Sequence, residues 1–216
     1  MSASIAVFYH CILSSSAHRE INSDYAIHLI MDQMKALKDS GLADAASAIY
    51  VCVNGPQSDA DALSVMVPDK AIIICHGKGA TTEIPTMNVI RDWIQNHKGW
   101  YVLYHHTKGV STPNQADNWR RRMELHNVHE WRRCVAALDS GADICGCHWL
   151  TPEQNRGTIS IPFFGGTFWW ANSYYLLKLP PLPPATWENR YKAESWIGMA
   201  QQRANVVDFS PGWPTP

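Results

Sequence analysis

The sequence predicts an α/β domain with a mainly parallel central sheet flanked by helices, and three observations carry that prediction. Short apolar, β-branched runs recur along the first two thirds of the chain. Segments with helical spacing separate most of them, and clusters of Gly, Pro, Asn or His close them. Strands that alternate with helices pair in parallel through crossover connections. With 216 residues, 46% of them hydrophobic, the chain is long enough for one substantial core and short for two.

Residues 4–9 form an apolar run bounded by polar residues and read as a buried strand. Over residues 24–38, Ile27, Ile30, Met31, Met34 and Leu37 repeat at helical spacing, with Gly41 just beyond. A second strand covers 48–53 and meets the turn signal Asn54-Gly55-Pro56. A third covers 71–75 and runs into His76-Gly77-Lys78-Gly79. Val89, Ile90, Trp93 and Ile94 give a helix over 86–97, with Gly99 placed to cap it. Residues 100–104 are a fourth strand, ending in His105-His106-Thr107-Lys108-Gly109. The longest helix is expected over 117–139, with Trp119, Met123, His126, Trp131, Cys134, Val135 and Leu138 along one broad face. Residues 142–147 add another strand. Beyond Cys147 the chain turns aromatic, Gly-rich and Pro-rich, an elaborated second half of the same domain. Residues 210–216, with three prolines, read as an extended tail or the stub of a longer chain.

Composition narrows the function. A formal charge of −1 from 18 basic and 19 acidic residues leaves no electrostatic footprint for nucleic acid or an anionic membrane. There is no basic leader with an apolar core and no run of roughly 20 apolar residues, so the expectation is a soluble, cytoplasmic protein without a transmembrane segment. The six cysteines sit mostly in apolar runs, as reduced buried thiols do. Ten Trp residues call for a use, either in the core or as stacking platforms.

In a parallel α/β sheet, ligands bind at the carboxyl ends of the strands. That rule points to Tyr9-His10, Asn54, His76 to Lys78 and His106 to Lys108. Lys108 followed by Gly109 offers a cation and an approachable backbone, which suits a diphosphate, although neither this loop nor the one at Lys78 is a Walker loop. Downstream, residues 163–172 read Phe-Phe-Gly-Gly-Thr-Phe-Trp-Trp-Ala-Asn. Two glycines beside a Trp pair build a backbone surface with flat apolar walls for a ring-shaped polar ligand such as a sugar. Glu194, between Tyr191 and Trp196 at an expected helix start, reads either as an acid compensating the helix dipole or as a general base. The clusters at 120–122 and 132–133 read as a solvated helix face, although one Arg near the Lys108 loop could help to neutralise phosphate. Cys145, Cys147 and His148, or His126 with His129, are the zinc candidates, but neither set has a standard zinc spacing.

The strand ending in His-Thr-Lys-Gly, the Trp-rich helix, Phe-Gly-Gly-Thr-Phe-Trp-Trp-Ala and Arg-Tyr-x-Ala-Glu-x-Trp-Ile-Gly together resemble small glycosyltransferases of the GT-A type. Such enzymes occur in bacterial polysaccharide clusters and as the amino-terminal glycosyltransferase domain of a large chlorella-virus protein. The similarity spans about residues 4–200. It implies a single GT-A-like, Rossmann-like domain over residues 1–209, with a nucleotide-sugar half at 1–115 and an acceptor half at 116–209. It also implies transfer of a hexosyl or deoxyhexosyl group from a UDP- or GDP-type nucleoside diphosphate sugar to a glycan. On this resemblance Tyr9 and His10 would lie near base and ribose, Asn54 would close the nucleotide pocket, and His106, Thr107, Lys108 and Gly109 would lie against the diphosphate. Gly165, Gly166, Thr167, Trp169, Trp170 and Arg190 would face sugar and acceptor, and Glu194 would be the base of an inverting reaction. One departure stands out: the family's Asp-x-Asp, which holds Mn²⁺ or Mg²⁺, is replaced here by His105-His106-Thr107-Lys108. Asp59-x-Asp61 has the spacing but reads as a surface helix start, and His106 is left as a weak metal candidate. The missing motif also admits a non-catalytic glycan-binding module on the same fold.

Overall fold

In the computed structural model, which describes residues 3–113, 115–154 and 159–210, all eight residues of β1 (Ile5–Ile12) are buried. A strand covered on both faces needs such a continuous apolar run. α1 (Ser23–Asp39) starts where the Asn22 side chain accepts from the Tyr25 amide, with Asp24 in its first turn and Lys38 in its last, each charge complementing the helix dipole. There follow α2 (Leu42–Ala45), β2 (Ala48–Asn54), α3 (Gln57–Leu63), β3 (Ala71–Cys75), α4 (Ile84–Trp93) and β4 (Tyr101–His106). α4 begins two residues earlier than its apolar pattern suggests because Pro85, with no amide proton to leave unpaired, opens its first turn.

The second half holds α5 (Asp117–Glu124), α6 (Trp131–Asp139), β5 (Ile144–Gly146), β6 (Trp149–Leu150), β7 (Phe163–Phe164), β8 (Trp169–Asn172), α7 (Ser173–Leu176), α8 (Arg190–Ser195) and β9 (Val206–Asp208). The expected long helix over 117–139 is therefore two helices. A π turn at Leu125–His129 separates them, and Glu130 leaves helical geometry at φ −95°, ψ 25°. The wide turn frees the Asn127 carbonyl from the helix, and the Trp170 indole donates to it at 2.9 Å.

One seven-stranded sheet has the order β3-β2-β1-β4-β8-β5-β9. β1 runs parallel to β2 and β4, β2 to β3, and β5 to β9, whereas β8 is antiparallel to both its neighbours. A likeness to a solved structure, given below, bears out the α/β fold class. Residues 169–172, expected to contribute to a ligand surface, are instead an interior strand. Trp169 and Trp170 are both fully buried, on opposite faces of the sheet: Trp170 packs with Leu103, Val128 and Trp131, and Trp169 with Tyr104, Ile90 and Trp196. Among the described residues, no helix is long and apolar enough to cross a membrane. Of the expected tail, only Ser210 lies within the described residues; it is buried, and its hydroxyl accepts from the His148 amide at 3.0 Å.

Replacing Trp170 by Ala removes a fully buried ring and its bond to Asn127, so a loss of about 3–5 kcal/mol is expected. Urea unfolding reads it as a lower midpoint. A ring serving as a ligand platform would leave the midpoint unchanged.

Candidate functional site

The parallel register brings the ends of β1 to β4 to one edge. His10 lies opposite His106 and Cys52, Ile12 opposite Asn54, and Val53 opposite Cys75. β8 runs the other way, and its pairing of Trp169 with Tyr104 delivers the preceding turn onto the end of β4. In that turn the Thr167 amide donates to the Phe164 carbonyl at 2.9 Å, and Gly166 takes φ +85°, as the third position of a type II turn requires. Both glycines are buried. A Cβ on Gly165 would meet Leu150, and one on Gly166 would meet Met123. They serve inward packing, which corrects the expectation that they form a ligand surface. From residues 163–172 only Thr167 reaches the cleft, with φ +62°, a rare conformation for a β-branched residue.

The end of β4 is clamped. His106 Nδ1 lies 3.0 Å from Glu83 Oε1 and its Nε2 lies 2.9 Å from the Gly166 carbonyl. The other Glu83 oxygen accepts from the Tyr104 hydroxyl at 2.8 Å. Burial opposes charge on Glu83, but His106, through charge and hydrogen bond, together with His10 and Tyr104, outweighs it and holds the carboxyl well below the usual carboxylate range. From the α1 side, Gln33 Nε2 donates to the His106 carbonyl at 3.2 Å and to Glu124 at 2.9 Å.

A cleft of about 270 Å³ opens on this clamp, lined among others by His10, Arg19, residues 106–109, Thr167 and Glu194. The Lys108 ammonium sits 4.4 Å from the Trp119 ring centre, and the Arg19 guanidinium 5.3 Å from that of Trp187. Glu194 is half-buried on α8. Burial first, and then the charge of Glu83, raise its carboxyl above the ordinary value, against the pull of Lys108, His106 and Arg19. A second cleft of about 250 Å³ adjoins the first at Ile12 and is lined by Ser14 to Ser16, Asn54 and Lys78. Asn54 donates to the Thr82 carbonyl at 2.8 Å, while its buried Oδ1 has no partner and so offers an acceptor to a ligand. A broader hollow of about 780 Å³ near Trp149 and Arg203 shares no lining residue with either cleft, and its Asp208 carboxylate already accepts from the Trp149 and Ser210 amides.

Several expected site residues lie elsewhere. Tyr9 alternates to the face opposite His10, is fully buried, donates to Gln33 Oε1 at 2.7 Å and lines neither cleft. Trp169 and Trp170 are core residues. Arg190 lies outside both clefts, its guanidinium 4.6 Å from the centre of the Trp187 ring and 4.2 Å from that of Tyr191. Conversely, sequence reading missed Glu83, Arg19 and Thr86. Glu83 is a lone acid ahead of Ile84-Pro85, which itself marks a helix start; Arg19 follows β1 within reach of the strand-end rule.

The donor set does not fit the divalent metal that the resemblance implies. At the Asp-x-Asp position, His105 is fully buried between Tyr9 and Phe168, and both ring nitrogens of His106 are taken. Asp59 is buried in the first turn of α3 and accepts from Ser14 at 2.9 Å, whereas Asp61 faces Gln57 at the surface. The two carboxylates thus point apart, and Asp59 is no surface residue. For the zinc candidates, Cys145 donates to the Cys134 carbonyl and His126 meets Glu130. Among the described residues, no group of three or more His, Cys, Asp or Glu could hold a metal ion.

Three solved structures of similar shape are HddC from Yersinia pseudotuberculosis (TM-score 0.50, 9% identity, covering 95% of this chain and 89% of that one), a protein described as a nucleotide-diphospho-sugar transferase from Desulfovibrio desulfuricans G20 (0.49, 10%, 96% and 80%), and 4-diphosphocytidyl-2C-methyl-D-erythritol synthase from Anaerococcus prevotii DSM 20548 (0.49, 9%, 96% and 87%). The likeness to HddC shows a shared fold. No curated protein sequence matches the chain. A family model described as Domain of unknown function (DUF8361) matches residues 8–211.

Replacing Glu83 by Gln removes the charge from a buried pair and should cost on the order of 3 kcal/mol near neutral pH. Because the folded-state carboxyl is held low, its stabilisation is present above the unfolded value and is lost as pH falls towards the folded one. Stability curves of the two proteins should therefore converge in acid, and a gap that persists unchanged at low pH would contradict the assignment.

Proposed function

We propose that this chain, which belongs to the family described as Domain of unknown function (DUF8361), moves a sugar from a UDP- or GDP-type nucleoside diphosphate sugar to a glycan hydroxyl. The observation that carries the reading is the cleft itself. It sets a carboxyl of raised proton affinity, Glu194, in one hollow with two cations, Lys108 and Arg19, at the carboxyl ends of parallel strands.

The neighbouring cleft, with the free Asn54 acceptor, three serines and Lys78, suits the nucleoside. The diphosphate then extends past Ile12 towards Lys108, Thr107, Gly109 and Arg19. On this reading residues 1–115 chiefly hold the nucleotide, and residues 116–209 bring Glu194 and Thr167 to the sugar and acceptor. Glu194 takes the proton of the acceptor hydroxyl as its oxygen bonds to the anomeric carbon. The bond from that carbon to the diphosphate oxygen breaks, and Lys108 and Arg19 stabilise the negative charge that departs. Attack opposite to the leaving group inverts the anomeric centre. The alternative of a glycan-binding module keeps the support of the missing Asp-x-Asp but loses the Trp pair as a binding face, because both rings are buried.

Four sets of outcomes are expected. Glu194→Gln should lower kcat by about 10²–10⁴-fold while nucleotide affinity stays within about twofold; full activity would remove the base from Glu194. In the parent enzyme the rate should rise with pH through the raised carboxyl value, since the base acts ionised. Lys108→Ala and Arg19→Ala should each weaken nucleoside diphosphate binding by about tenfold or more in calorimetry, the loss expected of one charge-assisted contact. Turnover should persist in a metal chelator, and the nucleotide product should be the free nucleoside diphosphate. Release of pyrophosphate from a nucleoside triphosphate would instead identify nucleotidyl transfer.

A further inference from the structure

Two imidazoles share one hydroxyl beneath the cleft. Thr86 Oγ1, fully buried in the first turn of α4, lies 2.8 Å from His10 Nδ1 and 3.1 Å from His76 Nε2. A hydroxyl has one proton to give, so when it donates to one ring it must accept from the other. The Cys52 thiol also meets this hydroxyl, but sulfur is the weaker acceptor. The chain of three groups therefore has two directions. In one, His10 Nδ1–H donates to Thr86, which donates to His76, and His10 Nε2 keeps a lone pair. In the other, His76 Nε2–H donates to Thr86, which donates to His10 Nδ1, and the proton of His10 sits on Nε2.

His10 lines the cleft, and no described residue bonds its Nε2. His76 is half-buried and stays in touch with solvent. We infer that Thr86 and His76 are positioning residues that act through His10: a protonated His76 makes His10 a hydrogen-bond donor to the ligand, and a neutral His76 allows it to be an acceptor. The donor form suits a phosphate oxygen, and the acceptor form a sugar or ribose hydroxyl.

The surroundings keep His10 itself uncharged throughout. Burial above all, with His106, His76 and Arg19 against the opposing pull of Glu83, pushes its pKa down to about 3. Burial also lowers His76, so the reversal falls on the acid side of the ordinary histidine value. The groups facing the pair are Glu83 ahead of α4, His106 on β4, Arg19 after β1 and Cys52 on β2, with Lys78 following His76 on its own loop. The inference needs the cleft to bind a ligand, but it is independent of sugar transfer and is tested on the free protein.

Ring-nitrogen NMR of the unmodified protein should show His10 Nε2 moving from the pyridine-type towards the pyrrole-type position as His76 titrates. In Thr86→Val, of similar volume, His10 should no longer follow His76 although the fold is kept, and Thr86→Ser should restore the coupling. A His10 Nε2 that stays put while His76 titrates overturns the inference, and so does one that follows His76 equally well in Thr86→Val. Should the Val variant fail to fold, the titrations of the unmodified and Ser proteins still decide the matter.

Discussion

The His106 ring, held at 3.0 Å by Glu83 and at 2.9 Å by the Gly166 carbonyl, is the interaction on which the rest of the site depends. A carboxylate taken out of water must be matched by charge and hydrogen bonds or it destabilises the fold. Matching it fixes three segments at once: the start of α4, the end of β4 and the turn before β8. Gln33 extends the arrangement to α1 through the His106 carbonyl. Lys108 and Thr167, on the chain segments leaving this clamp, inherit their positions from it.

The same clamp divides the work between two carboxyls in one cleft. Glu83, compensated on both oxygens, is held ionised, whereas Glu194 sees burial and the charge of Glu83 and binds its proton more tightly. Environments that push two like groups apart in this way separate a structural charge from one free to exchange protons. Lys108 and Arg19 each rest on an indole face, Trp119 and Trp187. An aromatic rest holds a long cation in place without consuming its hydrogen-bond donors.

Much of the sheet was legible. The runs at 48–53 and 71–75 lie on β2 and β3 within one residue, because each is a short apolar, β-branched run whose end carries turn residues. The strand-end rule also pointed at residues that line the two clefts, His10, Asn54, Lys78 and residues 106–108. It failed at Tyr9, where one step along the strand reverses the face. Residues 169–172 defeated the reading because a Trp pair has the same appearance in a core strand as on a binding surface, and only the pairing with β4 and β5 distinguishes them. The break at residues 125–130 left no Pro or Gly to announce it. At the break the Asn127 carbonyl accepts from the Trp170 indole, a tertiary partner that no local pattern around residues 125–130 records. Glu83 and Arg19 are single charges in loops, and their roles come from tertiary neighbours that no local pattern records.

The placement of β8 has a consequence for how the molecule is made. Until residue 172 has been synthesised, β4 has no partner on its outer side, and Val102 to Tyr104 form a bare sheet edge, a template for pairing with another chain. A nascent chain released early would be sticky, so the ribosome must deliver most of the polypeptide before the sheet can close. For the same reason a gene that exchanged the second half as a cassette would have to bring its own replacement for this one reversed strand.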